Sequence, residues 1–421
     1  MIPLPFYELR GLGVLEGTVD EITGVTIDSR RAEPGDLFVA VGAGHGFIAD
    51  ARARGAVALV PHDPFAALAT LARLVRERSP ARVVAITGST GKTSTKDILA
   101  ALCAPHLRTV AAEASFNNEL GIPLTVCRIE PATELCIVEI GMRGMGQIAE
   151  ACRVVRPHLG VITGIGPVHL ELVGSVERVA EAKAELLRGL EPGGIGVVPD
   201  DPELTRYWPA LKLRFFGASS VLELRTKGDG ARVTIDVRGT PLTLDVPFTA
   251  RYHAQNLAAA LLAYDALGLP LDRAQEGASQ IAFSRWRGEE TALADGGLLI
   301  NDAYNANPMS MRAALEHLTA RAGKRRRLAV LGTMAELGPG APAYHEEIGA
   351  LAAELGVAAV LAVGEEARAY LSGTNGSVET LWAADAEAAV PLLEELRRPG
   401  DAILVKGSRS VGLERLAENI A

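Results

Sequence analysis

The 421 residues are 48% hydrophobic and 22% charged, the balance of a globular enzyme and more chain than one core usually supports, so two or three domains are expected. A net charge of −9 argues against a nucleic-acid partner. With no apolar leader behind a basic start and no apolar run of spanning length, the chain reads as cytoplasmic, neither secreted nor inserted in a membrane.

Residues 1–80 read as a first unit. Strand-like Val25–Ile27 leads into Asp28-Ser29-Arg30, Pro34-Gly35-Asp36 turns the chain into the strand Leu37–Val41, and Ala56–Val60 is another short strand before a helix over Phe65–Arg78. Asp28-Ser29-Arg30 is either a strand-end turn with a solvated ion pair or a diphosphate site, since a hydroxyl beside a guanidinium fork suits that anion. Ser79-Pro80 marks a linker.

Residues 81–290 read as a second unit with parallel-sheet logic. The β-branched run Val83–Ile86 precedes Gly88-Ser89-Thr90-Gly91-Lys92-Thr93-Ser94, and a helix follows. Strand, glycine turn and helix N-terminus make a phosphate cradle: glycines let successive N–H groups converge on one anion, Lys92 adds a point charge, and the Thr93 hydroxyl can ligate Mg²⁺. The eight-residue pattern would want glycine at position 86, which is Ile86, so this is the shorter Gly-x-x-Gly-Lys-Thr form. Further short strands end at Glu139, at Thr163-Gly164 and at Pro199-Asp200-Asp201, and ligands of open α/β sheets gather beyond such carboxyl ends. Glu139 stands where a nucleotide-binding sheet supplies an acidic metal partner.

His169 follows a strand and a turn, and is either structural or a ligand. Lys183 lies in the helical run Val176–Leu190, where a lysine is normally solvated. Only seven of the 42 basic residues are lysines, so one placed among alanines and leucines is a candidate for burial. A buried amine has a lowered pKa and can add CO₂, giving an anionic oxygen ligand for Mg²⁺. Residues 231–249 alternate as a hairpin, Tyr252–Asn256 opens an alanine-rich helix, and Ser284–Glu289 closes the unit. Cys103, Cys127, Cys136 and Cys152 lack zinc spacing and fit reduced, buried thiols.

Residues 291–421 read as a third, Rossmann-like unit with strands at Leu298–Ile300, Leu328–Leu331, Ala358–Val363 and Ala402–Val405. The expected class is therefore α/β in three domains: a small N-terminal α/β domain, a central P-loop parallel-sheet domain and a C-terminal Rossmann-like domain.

The cradle, Phe116-Asn117-Asn118-Glu119-Leu120-Gly121, Glu139–Gly144, His169, Lys183-Ala184-Glu185-Leu186, Asp302-Ala303-Tyr304-Asn305-Ala306-Asn307-Pro308, Met334–Gly338 and Lys406–Arg409 follow one another in an order that resembles the Mur ligases over nearly the whole chain. The resemblance is greatest to members that join D-Ala-D-Ala to UDP-N-acetylmuramoyl-tripeptide in peptidoglycan precursor synthesis, through an acyl phosphate formed from ATP. It implies that the first domain binds the UDP end, the second binds ATP and the third closes over it, in a monomer. Thr93 and Glu139 are implied to hold one Mg²⁺, with His169 and a CO₂-modified Lys183 holding a second that Glu139 shares. Asn256 is implied to meet adenine, Arg287 the phosphates, and Asp302 the ribose with Asn305 close by. Ser29 and Arg30 would receive the uridine diphosphate, and Asn117 and Asn118 would line the muramoyl side.

The chain departs from the family's usual run at Ser115, Gly164 and Thr333, where asparagine, asparagine and aspartate are usual, and in a shorter Gly42–Phe47 loop. The other readings are the preceding ligase of that route, a folylpolyglutamate synthase and a non-catalytic ATP-binding scaffold. The first usually carries an Asp-Asn-Pro-Arg run, absent here. The second has no use for a UDP-binding domain, and intact Thr93, Glu139, His169 and Lys183 speak against the third.

Overall fold

The computed structural model describes residues 1–420. The N-terminal part pairs Leu4–Pro5 with Glu21–Ile22 and builds a mixed four-stranded sheet in the order Gly13–Glu16, Val57–Pro61, Asp36–Val39, Gly24–Thr26. Helix Pro64–Arg78 then starts sharply: Pro64 occupies its first turn and the Asp63 carboxylate accepts from Phe65 N at 2.9 Å and Ala66 N at 3.1 Å, satisfying donors that a helix start leaves free. Its buried face, Ala67, Leu68, Leu71, Ala72 and Val75, recurs at helical spacing.

That face does not close on the N-terminal sheet alone. It packs against helices Gly121–Val126 and Gln147–Val155, and its leucines share one core with Val83, Ala85, Cys136 and Val138 of the next sheet. The helix expected within the first unit therefore also covers the second, and truncating Leu71 to alanine costs about 2–5 kcal/mol of common core. Arg76 fixes the junction, donating to Val155 O at 2.9 Å and Arg156 O at 3.2 Å.

The central sheet has six parallel strands in the order Lys212–Phe216, Ile195–Pro199, Leu159–Ile162, Arg82–Thr87, Leu135–Glu139, Thr109–Ala111. Its register places the site. Ile86 pairs with Glu139 and Thr87 with Ile162, so Gly88, Glu139 and Thr163 emerge side by side at the carboxyl edge. Helix Arg251–Ala266 buries ten residues because it lies between this sheet and an antiparallel ribbon, Val221–Lys227, Gly230–Val237 and Thr240–Val246. Its alanines let both layers approach.

The C-terminal sheet runs Glu289–Ala292, Leu298–Asn301, Ala402–Lys406, Arg327–Gly332, Ala359–Val363, Glu379–Ala383, parallel except for its first strand. That strand begins at Glu289, so a division at 290 cuts through it. All four cysteines are free and buried, and burial pushes each thiol up to about 12. No helix among the described residues is long and apolar enough to cross a membrane.

Candidate active site

The turn after strand Arg82–Thr87 needs its glycines. Gly91 sits at φ +79°, a left-handed conformation open to glycine at little cost, and a Cβ there would strike Asn256 Oδ1; one at Gly88 would strike Thr163 Oγ1. Helix Lys92–Cys103 begins directly after, so its free N–H groups face the turn. Lys92 Nζ donates to Gly88 O at 2.8 Å. Burial lowers its pKa, an effect the Glu139 carboxylate opposes and the Arg287 guanidinium reinforces.

Thr93 Oγ1 donates to Glu139 Oε2 at 2.7 Å, and Asn117 Nδ2 donates to Glu139 Oε1 at 2.7 Å. A hydroxyl, a carboxylate and an amide thus meet at the mouth of the cradle. Arg287 Nη2 donates to Ser115 Oγ at 2.9 Å, and its guanidinium stacks 4.0 Å from the centre of the Tyr304 ring. Lys92, Thr93, Asn117, Glu139, Arg287 and Tyr304 line, with Ser89, Thr90, Ser94, Asn256, Asp302 and Asn305, a cavity of about 400 Å³. Asp302 Oδ2 pairs with Lys406 Nζ at 2.6 Å, and the same amine donates to Asn305 O at 2.9 Å.

A second cavity, of about 720 Å³, adjoins the first, sharing Lys92 and Asn117. All three domains line it: Phe65 from the first, Asn118, His169 and Lys183 from the second, Glu336 and Ser408 from the third. Lys183 is 2% exposed on helix Val176–Arg188 and has no ion-pair partner among the described residues. Burial and then the charge of Lys92 hold its pKa well below 10.5. His169, at φ +53°, points Nδ1 at Glu336 Oε2 across the domain boundary. Burial lowers its pKa and Glu336 works the other way.

The predicted residues are thus brought together around two joined cavities, except for Gly88, whose carbonyl accepts from Lys92 behind them, and for Ser29 and Arg30. Ser29 is buried in a short turn, and the exposed Arg30 grips Asp28 at 2.9 and 2.8 Å; neither lines either cavity. Asn118 does line the larger one, but its Oδ1 also accepts from Gly121 N at 2.9 Å.

The donor set fits the groups that the sequence implies. Among the described residues no cluster of three or more His, Cys, Asp or Glu could hold a metal alone. Thr93 and Glu139 instead offer two hard oxygens, and Mg²⁺ normally completes such a shell with phosphate oxygens and water. Lys183 is a buried amine without an ion-pair partner among the described residues, and its burial favours the uncharged form that CO₂ addition requires.

Three contributors escaped the sequence reading. Ser115 stood out only as a departure, yet its hydroxyl is the acceptor for Arg287; Tyr304 supports that guanidinium; Glu336 reaches His169 from another domain. The partners lie 172, 17 and 167 positions apart, so no local pattern links them.

Residues 86–264 match the Mur ligase middle domain and residues 286–409 the Mur ligase glutamate ligase domain. The UDP-N-acetylmuramoyl-tripeptide–D-alanyl-D-alanine ligase of Synechocystis sp. is 33% identical, covering 94% of this chain and 93% of its own length. A crystal structure of MurF from Acinetobacter baumannii superposes with a TM-score of 0.86 at 28% identity, covering 99% of this chain and 98% of that one. The MurF ligase of Thermotoga maritima, solved in complex with ADP, gives 0.82 at 26% identity, covering 94% and 96%. Matched in sequence and in fold along nearly its whole length, the chain belongs to the Mur ligase family and, within it, to the MurF ligases.

Proposed function

We propose that this chain joins the amine of D-Ala-D-Ala to the terminal carboxylate of UDP-N-acetylmuramoyl-tripeptide, converting ATP to ADP and phosphate. The observation that carries the reading is the Thr93–Glu139 contact at the mouth of a glycine cradle, with an unpaired Lys183 opening onto the adjoining cavity. The match to ligases of this name along nearly the whole chain supports the choice of substrates.

A carboxylate oxygen is a poor leaving group, so an amine cannot displace it in water. Attack of the tripeptide carboxylate on the γ-phosphate releases ADP and gives an acyl phosphate. The amine then adds to the acyl carbon, and the tetrahedral species expels phosphate. Two anions must meet in the first step, and Lys92 and Arg287 place positive charge where they do. Two Mg²⁺, one on Thr93 and Glu139 and one on His169 and carbamylated Lys183 with Glu139 shared, would neutralise the transferring group. Asn256 is assigned to the adenine, Asp302 and Asn305 to the ribose, and the Gly88–Ser94 turn to the phosphates.

Asn117 and Asn118 are assigned to the muramoyl side. Ser29 and Arg30 are assigned to the uridine diphosphate, the end of the substrate remote from the reaction. Glu336 and Ser408 bring the C-terminal domain over the larger cavity, a placement suited to keeping water from an acyl phosphate. All three domains contribute to the cavities from one copy of the chain, which fits a monomer, and nucleotide-linked substrates fit a cytoplasmic enzyme.

The test is ADP release from the purified chain with ATP and Mg²⁺. Release that requires both the nucleotide-linked tripeptide and D-Ala-D-Ala supports the reading. Release that needs neither, or that prefers a single amino acid as the amine, overturns it.

A further inference from the structure

Lys96 and Asp97 lie one helical turn beyond the cradle and have no part in the chemistry above. Lys96 is 3% exposed, yet its amine is fully engaged. It donates to Ala112 O at 2.8 Å and Ala114 O at 3.0 Å and pairs with Asp97 Oδ1 at 2.7 Å. The other carboxylate oxygen, Asp97 Oδ2, accepts from Ser284 N at 2.8 Å.

One largely buried ion pair therefore holds two distant segments. The first, residues 112–117, carries Ser115 and Asn117, and its Ala114 sits at φ +44°, a conformation rare for alanine that must be held by its surroundings. The second, residues 284–288, carries Arg287 and leads into the C-terminal domain. The two segments meet where Arg287 Nη2 reaches Ser115 Oγ at 2.9 Å, and that hydroxyl lies 3.5 Å from Thr93 Oγ1.

We propose that Lys96 and Asp97 are positioning residues that lock the Ser115 loop and the Arg287 linker onto the cradle helix, so that the interdomain linker and the phosphate site move as one body. The inference rests on the ligase reading for the meaning of Arg287, though not for the geometry. A pair that merely filled the core would be replaceable by apolar residues with an effect on stability alone.

The test measures ligation kinetics of the full chain below the melting temperature of each variant. Lys96→Met and Asp97→Asn lower kcat by roughly 10²-fold through misplacement of Arg287, with KM for ATP nearly unchanged. Ser284→Ala, which keeps the backbone N–H, matches the wild type, whereas Ser284→Pro removes that donor and reproduces the loss. Asp97→Asn combined with Ser115→Ala is no slower than the slower single variant, because both act through one contact. Hydrogen exchange of Asp97→Asn rises together in residues 112–117 and 284–288.

Wild-type kcat in folded Asp97→Asn and Ser284→Pro, or exchange that rises in one segment only, overturns the proposal, even if Lys96→Met fails to fold. Absence of ligation by the unaltered chain would overturn the ligase reading instead, and the exchange result would still decide whether the two segments are coupled.

Discussion

His169 and Glu336 belong to different domains and face each other through Nδ1 and Oε2, each with a left-handed backbone, at φ +53° and +63°. The contact is reinforced along the chain: Glu171 N donates to Glu336 O at 3.2 Å, and Gly338, at φ +66°, lies against the Glu171 backbone. A carboxylate on the second nitrogen of a ligating histidine orients the ring and raises its basicity. With His169 as the proposed Mg²⁺ ligand, Glu336 would be that carboxylate, supplied by the C-terminal domain. Glu336→Gln is expected to lower Mg²⁺ affinity or kcat by about 10–100-fold while leaving ATP binding in the smaller cavity intact, as separate titrations of metal and nucleotide would report.

Gly91→Ala tests the cradle. The new methyl would meet Asn256 Oδ1 in a backbone conformation unfavourable to alanine. Nucleotide affinity should fall by at least about tenfold while the melting temperature moves by only a few degrees, a comparison open to calorimetry. Unchanged affinity would mean that the phosphates bind elsewhere.

Lys183→Ala is expected to bring turnover close to zero without unfolding the chain. Small carboxylates such as formate or acetate should restore part of it, since they can supply the missing anionic oxygens, whereas added CO₂ should not. Full activity of the variant would remove Lys183 from the site.

Glu290 gives a prediction about acid stability. Its burial would raise the carboxyl pKa, but hydrogen bonds from His317, Arg321 and Thr249 prevail and hold it at about 2, against an ordinary 4.5. A carboxyl group depressed on folding stabilises the native state above its unfolded pKa, and that contribution fades as pH falls toward the folded value. Glu290→Gln should therefore lower the melting temperature near neutral pH, with the difference from wild type shrinking between about pH 4.5 and pH 2. A difference that grew on acidification would refute this.

Much of the architecture was legible because it is written in local patterns. Helix Val176–Arg188 follows from its apolar spacing, and the structure adds a cap, the Ser175 hydroxyl accepting from Arg178 N at 3.3 Å. The buried strand Ala359–Val363 is a continuous apolar run, and Leu135–Glu139 is one up to its terminal Glu139. Strands Lys212–Phe216 and Glu379–Ala383 were not read, since both lie at sheet edges, where one side of the ladder is unpaired and the hydrophobic demand is weaker. The scarcity of lysine was a usable signal: Lys96, Lys183 and Lys406 are all buried. What no local pattern could show is which distant groups they and their neighbours meet, such as Arg287 with Ser115.

The central claim is that the tripeptide carboxylate is activated by phosphoryl transfer, and its oxygen atoms record the step. With ¹⁸O in the terminal carboxylate, turnover with ATP and D-Ala-D-Ala should transfer one labelled oxygen to each inorganic phosphate released, as mass spectrometry of the phosphate would show. Phosphate released without the label would contradict the account.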